Sequence, residues 1–204
     1  MENAYDVCDT SAKYGITENG ASQSAEFFAR DLVVTEDENL GLEKTTERVA
    51  EAAGVFLTSK KEAVYKKNIF EKLYPASTTK ILTAYVALKN GNLDDVVTVS
   101  ANAANQASDS SVCELKEGDK ITLRDLLYGL MLRSGNDAAV AIAEHISGSS
   151  EEFVVLMNAE AKALGATGSH FVTPNGLHDE EHYSTVYDMY LFMLSLIHIS
   201  EPTR

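Results

Sequence analysis

Tyr74-Pro75-Ala76-Ser77-Thr78-Thr79-Lys80-Ile81-Leu82-Thr83-Ala84-Tyr85-Val86-Ala87-Leu88-Lys89-Asn90-Gly91 is the stretch on which the reading of this 204-residue chain turns. From Ser77 to Lys89 apolar residues fall on most faces of a helical repeat, and Asn90-Gly91 supplies a stop, so the segment is predicted as a buried central helix. Ser77 and Lys80 stand three apart in its first turn, which puts both side chains on one face within hydrogen-bond reach. The spacing alone carries little. With 17 serines and 12 lysines in the chain, chance supplies about one Ser-x-x-Lys, which is what occurs. The context carries more, because a lysine in a first helical turn opposes the positive end of the macrodipole and, if buried, loses its water. Both effects favour the neutral amine. Such an amine beside a hydroxyl can act as its general base, and the N–H groups of a helix start can stabilise an oxyanion. The same residues also fit a plainer arrangement, a serine N-cap followed by a solvated lysine.

Upstream, Ala52–Leu57 and Ala63–Tyr65 are short apolar segments separated by polar Thr58–Glu62, which predicts a two-stranded hairpin. Residues 1–45 are rich in Ser, Thr, Asn, Asp and Glu, with concentrated apolar patches only at Phe27-Phe28 and Leu32-Val33-Val34, and read as a poorly ordered leader with room for one short helix. Downstream the pattern is helical. Thr122 and Asp125 form a capping arrangement for Leu123–Leu132, Asp137–Ile146 ends at Gly148, and Ser149 caps a helix with an acidic first turn that runs to Leu164 and meets Gly165. Residues 100–111 and 167–183 read as loops, the first with at most one helical turn, and Ser184 or Thr185 caps a last apolar helix. Two strands and about five helices cannot close a sheet-based domain, so an α/β chain of this pattern is short of strands.

The hydrophobic fraction of 45% supports a real core, and the length suits one domain. A net charge of −14 repels phosphate backbones and anionic surfaces, which argues against nucleic acid as a partner. No apolar run approaches the ~18 residues of a spanning helix, and the start lacks the basic and apolar regions of an export signal. Cys8 and Cys113 fall in no metal or redox spacing. A second polar cluster, Ser134-Gly135-Asn136, lies in the break between two helices, where a rigid scaffold presents functional groups, although a plain helix–helix turn suits the same residues.

Taken together, the segments Tyr74–Ala84, Leu126–Ala143 and His170–Leu177 resemble, in order and spacing, the low-molecular-mass penicillin-binding proteins, which are D-alanyl-D-alanine carboxypeptidases. The resemblance runs from about Val49 to Leu194. It implies an α/β (α+β) fold of the penicillin-binding protein/β-lactamase type, with residues 46–194 forming part of a D,D-peptidase catalytic domain. By the same resemblance Ser77 is the nucleophile that attacks between two terminal D-alanines of a peptidoglycan stem peptide and holds the acyl group as an ester. Lys80 takes its proton, Ser134 relays a proton to the leaving nitrogen, and Asn136 binds Lys80 and the substrate backbone. Ser110, with Asp109 and Ser111, falls at the cleft edge and is assigned to substrate contact. The chemistry calls for no metal or organic cofactor. β-Lactams are expected as covalent inhibitors, and the implied location is extracytoplasmic, with any membrane attachment through segments not present in this sequence.

The resemblance is incomplete. Its third motif, Lys-Thr-Gly on a strand that binds the substrate carboxylate and gives an oxyanion N–H, has no counterpart after Leu194. The catalytic domain is therefore expected to be truncated here, its later strands absent and its activity weak or nil. Ser195–Arg204 does not continue the pattern and is read as a non-native tail. A β-lactamase would share Ser77 and Lys80, but the Glu-x-x-Leu-Asn motif of one class does not occur. A non-catalytic peptidoglycan-binding module is the other alternative, opposed by the intact Ser77, Lys80, Ser134 and Asn136. His178 and His182 mimic an i, i+4 zinc pair, yet following Asn175-Gly176 they are expected in a solvated loop; His145 and His170 are isolated.

Overall fold

A computed structural model describes residues 31–41 and 50–200 of the chain. The expected hairpin is present: β1 (Ala53–Leu57) pairs antiparallel with β2 (Glu62–Lys67), Ala53 opposite Lys67 and Leu57 opposite Glu62, with a register shift between Val55 and Phe56. A 3-10 turn over Thr58–Lys60 and a left-handed Lys61 close it. A second ribbon was not legible in the sequence. β3 (Val96–Thr98) pairs with β4 (Lys120–Thr122), and strands of three residues are too short to print a period-two pattern.

The central helix α1 (Lys80–Asn90) is entered through a 3-10 turn over Ala76–Thr79, so Ser77 sits in the tighter turn and Lys80 opens the α-helix proper. Gly91 ends α1 in an extended conformation (φ −110°), not the left-handed one that usually makes glycine a helix stop. Its hydrogen is needed for space: a Cβ there would lie 2.5 Å from Leu123 Cδ2 and 2.6 Å from Ile146 Cδ1. The single helical turn of the 100–111 loop is α2 (Ala101–Ala104), capped by Ser100. In α3 (Leu123–Leu132) the Thr122 hydroxyl accepts from Asp125 N–H, and in α5 (Ser150–Ala163) the Ser149 hydroxyl accepts from Glu152 N–H, as the sequence signals predict. Between them α4 (Asn136–Ser147) stops at left-handed Gly148 (φ 84°). The last helix, α6 (Val186–Ser200), starts after Thr185, whose hydroxyl accepts from Asp188 N–H.

Helix α1 packs against α3, α4, α5 and α6. Leu82 and Val86 of α1, Leu126 and Leu130 of α3, Ile142 of α4, Phe153 and Met157 of α5, and Phe192 of α6 are all buried. Each such side chain contributes about 1.5–3 kcal/mol relative to exposure, which fixes α1 and hence the turn carrying Ser77.

Residues 31–41 depart from the expected loose leader. Val33 is fully buried, its N–H donating to Tyr190 Oη and its carbonyl accepting from Tyr187 Oη, both at 2.9 Å. Leu40 bridges to Lys66 of β2, and Lys66 Nζ donates to Thr35 Oγ1 and the Glu36 carbonyl. A single buried valine and a strand-edge bridge offset the polarity that made this stretch look unstructured. Residues 1–30 and 42–45 of that leader lie outside the described residues, as do 201–204 of the tail. Helix α6 continues past Leu194 to Ser200, with Ser195 buried and its hydroxyl donating to the Leu191 carbonyl. No strand follows α6 among the described residues, and no described helix is long and apolar enough to cross a membrane.

Candidate active site

Ser77 is exposed at the head of the 3-10 turn, while Thr79 and Lys80, one step further in, are buried. Ala76, just before the nucleophile candidate, has φ 47°, a left-handed conformation that costs a residue with a Cβ about 1–2 kcal/mol. The opposing backbone comes very close. A Cβ on Gly176 (φ 85°) would fall 1.9 Å from the Ala76 carbonyl oxygen, so only glycine lets the 172–176 loop lie against the turn.

Lys80 Nζ has three oxygen neighbours: Asn136 Oδ1 at 2.8 Å, the Asn175 carbonyl at 2.9 Å and Ser77 Oγ at 3.1 Å. The side chain is 2% exposed, and loss of water lowers its pKa from 10.5 to about 8. About a tenth of the amine is then neutral at pH 7, against well under a thousandth for a hydrated lysine. Two of the neighbours, the amide oxygen and the main-chain carbonyl, can only accept. In the neutral amine they take the two hydrogens, which leaves the lone pair directed at Ser77 Oγ and the serine O–H as the donor. The solvated-lysine alternative does not fit this geometry.

Asn136 opens α4, and its N–H donates to the Ser111 carbonyl at 2.8 Å. Its neighbour Asp137 is 1% exposed, and the carboxylate accepts from the N–H groups of Cys113, Leu115 and Ala138 at 2.8–3.0 Å. This carboxylate ties the 111–115 segment to the start of α4. Cys113 lodges beneath the break, where a Cβ on Gly135 would come within 2.5 Å of its Sγ. Burial, and then the Asp137 charge, push the Cys113 thiol up, away from thiolate.

Not every residue singled out in the sequence joins the cluster. Ser134 has a left-handed backbone (φ 57°) two residues ahead of Asn136, and its hydroxyl makes no hydrogen bond among the described residues. Ser110 is half-buried in a neighbouring hollow of about 430 Å³ lined also by Ser111, Glu114, Leu132 and Arg133, and has no described bond to Ser77 or Lys80. His182 overturns its expectation of a solvated loop. It is 1% exposed, with Nε2 2.8 Å from Thr79 Oγ1 and Nδ1 accepting from the N–H groups of Val172 (3.1 Å) and Thr173 (3.4 Å). His178 does remain exposed and meets Tyr74 edge-on, 4.6 Å between ring centres. His145 pairs with Asp95 (3.2 Å), and His170 Nδ1 lies 2.6 Å from the Glu181 carbonyl. Among the described residues no three His, Cys, Asp or Glu side chains converge as metal ligands.

Sequence reading missed the part played by residues 172–176. The Thr83 hydroxyl donates to the Pro174 carbonyl (2.6 Å), and the Asn175 carbonyl completes the shell of Lys80. Only the Asn-Gly pair hinted at a tight turn, and nothing local tells which main-chain oxygen a turn will present.

The family described as D-alanyl-D-alanine carboxypeptidase matches residues 41–204. D-alanyl-D-alanine carboxypeptidase DacF of Bacillus subtilis (strain 168) is 40% identical over 168 residues, an alignment covering 79% of this chain and 43% of that protein. DacC of Escherichia coli (strain K12), of the same description, is 46% identical over 140 residues, covering 64% and 35%. Among solved structures, the D-alanyl-D-alanine carboxypeptidase DacD from Francisella tularensis superposes with a TM-score of 0.71 at 34% identity, over 91% of this chain and 42% of that one. Penicillin binding protein 6B from Escherichia coli gives 0.65 at 37% identity, over 67% and 46%. The chain thus spans less than half the length of each of these relatives.

Proposed function

We propose, because the chain belongs to the D-alanyl-D-alanine carboxypeptidase family, that Ser77 is the nucleophile of a serine D,D-carboxypeptidase acting on peptidoglycan stem peptides ending in D-Ala-D-Ala. The observation that carries this is the desolvated Lys80 amine, held by Asn136 Oδ1 and the Asn175 carbonyl with its third position against Ser77 Oγ. In the first step the Lys80 lone pair takes the hydroxyl proton as Oγ bonds to the carbonyl carbon between the two D-alanines. The Ser77 N–H precedes the first hydrogen-bonded N–H of the turn, that of Thr78 to the Pro75 carbonyl, and is free to face the developing oxyanion. The Lys80 ammonium then has three donors for three oxygens, so the protonated state is matched as well. Collapse expels D-alanine, whose nitrogen receives the proton by way of the Ser134 hydroxyl. Water, activated by the regenerated amine, releases the shortened peptide from the ester.

Asn136 keeps its NH₂ for the substrate backbone once Oδ1 is committed to Lys80, and Ser110, in the neighbouring hollow, is assigned to substrate contact. A Lys-Thr-Gly element does not occur in these 204 residues, so acylation of this chain is expected to be slow. The substrate lies outside the cytoplasm, and so, on this reading, does the enzyme. β-Lactams, as carbonyl analogues of the D-Ala-D-Ala bond, are its covalent inhibitors.

Fluorescent penicillin tests the assignment: slow covalent labelling that maps to Ser77 and is abolished in Ser77→Ala supports it. Labelling that survives Ser77→Ala refutes it. Fast hydrolysis of the adduct would instead point to a β-lactamase.

A further inference from the structure

His182 is the one imidazole among the described residues that is sealed in the core, and its contacts fix its protonation. Nδ1 faces two main-chain N–H groups, of Val172 and Thr173, and therefore carries a lone pair. The hydrogen is left on Nε2, which donates to Thr79 Oγ1 at 2.8 Å. The Phe171 ring meets the imidazole edge-on, 5.4 Å between centres at 88°, which holds the plane. On one side of the ring lies the loop that supplies the Asn175 carbonyl; on the other is the turn that carries Ser77 and leads into Lys80. Besides Lys80, Thr83 of α1 also reaches this loop, its hydroxyl donating to the Pro174 carbonyl.

We infer that His182 is a positioning residue: in its Nε2–H form it clamps the 172–176 loop to the nucleophile turn, and thereby aims the Asn175 carbonyl at Lys80 Nζ and keeps water from the amine. The inference rests on the reading of Lys80 as general base and extends it to what maintains that base. Loss of the clamp lets the loop lift from Ala76, water reaches Nζ, and the amine regains the proton affinity of a hydrated lysine. The charged and titratable groups facing the imidazole are Asp179, which favours its protonation, and His170, which opposes it; burial opposes it more strongly than either acts.

The test uses the 204-residue chain and does not require turnover. In ¹⁵N-histidine spectra His182 is expected as the Nε2–H tautomer, unprotonated at Nδ1 through neutral pH; an Nδ1–H tautomer would overturn the inference. In ¹³C-lysine titrations, His182→Ala is expected to raise the Lys80 midpoint from about 8 by about one pH unit or more, toward the hydrated value. His182→Gln, which retains an N–H donor for Thr79, restores most of the original midpoint. Thr79→Val removes the hydroxyl at constant shape, so it decides the question should His182→Ala fail to fold; it too raises the midpoint. A midpoint unmoved in folded His182→Ala or Thr79→Val refutes the positioning role. Absence of any penicillin adduct on Ser77 in the unsubstituted chain counts against the carboxypeptidase reading instead, and leaves the tautomer and titration results to judge His182.

Discussion

The two flanks of α1 differ in how they are finished. On the flank facing α4 and the 172–176 loop, Lys80 Nζ has three oxygen partners within 3.1 Å, and the loop backbone touches the turn so closely that only glycine fits at 176. On the flank facing β1 and α6, an open hollow of about 570 Å³ is bordered by apolar Phe56, Ile81, Val186, Met189 and Tyr190. Phe56 stacks on Tyr190 with 4.4 Å between ring centres, yet remains only half-buried. The contrast shows that the Ser77–Lys80 pair takes its contacts from the helical side and its loop. Preorganised polar clusters are costly when incomplete, whereas an apolar hollow forfeits contacts but leaves no donor unsatisfied.

Substitutions can break this contrast. The largest effect is expected from Lys80→Met, which keeps the stem and removes the base: Ser77 acylation by penicillin should fall by about 10²–10⁴-fold, read by time-resolved mass spectrometry. A retained rate would mean that Ser77 is activated by some other group. Next in size is Gly176→Ala. The new Cβ cannot be accommodated against the Ala76 carbonyl and the backbone is left-handed there, so a loss of about 3 kcal/mol is expected in urea unfolding, together with slower acylation. Smallest is Phe56→Ala on the unfinished flank, where the ring is already part-solvated. Its cost should be about 1–2 kcal/mol, below the ~3–5 kcal/mol of a sealed phenylalanine such as Phe153. Equal costs for the two would show that the hollow is closed in solution.

The sequence was most legible where the signal is local. Helix starts at Thr122 and Ser149 and the stop at Gly148 are each set by residues within one turn of the event and occur as expected, and the hairpin turn expected over Thr58–Glu62 occurs at Thr58–Lys61. Ser77 and Lys80 could be paired from their place in the first turn of an apolar helix, and Asn136 joined to them through a resemblance; the structure brings these three together. What failed was non-local. The β3–β4 ribbon joins strands separated by a loop and a helical turn, and His182 finds Thr79 across 103 positions. A histidine within an Asp-Glu-Glu run looks solvated until the chain folds its ring inward and leaves the acids outside. Residues 31–41 misled in the same way, because one buried valine and a bridge to β2 count for more than the composition around them.

The proposed chemistry requires a Lys80 amine that is uncharged when it meets the serine hydroxyl, and the pH dependence of Ser77 acylation reports this directly. Because the neutral form is the base, the rate should climb by about tenfold per pH unit below the Lys80 midpoint and level off above about 8. A rate that is flat from pH 5 to pH 9, or one still climbing toward the midpoint of a hydrated lysine, would contradict it.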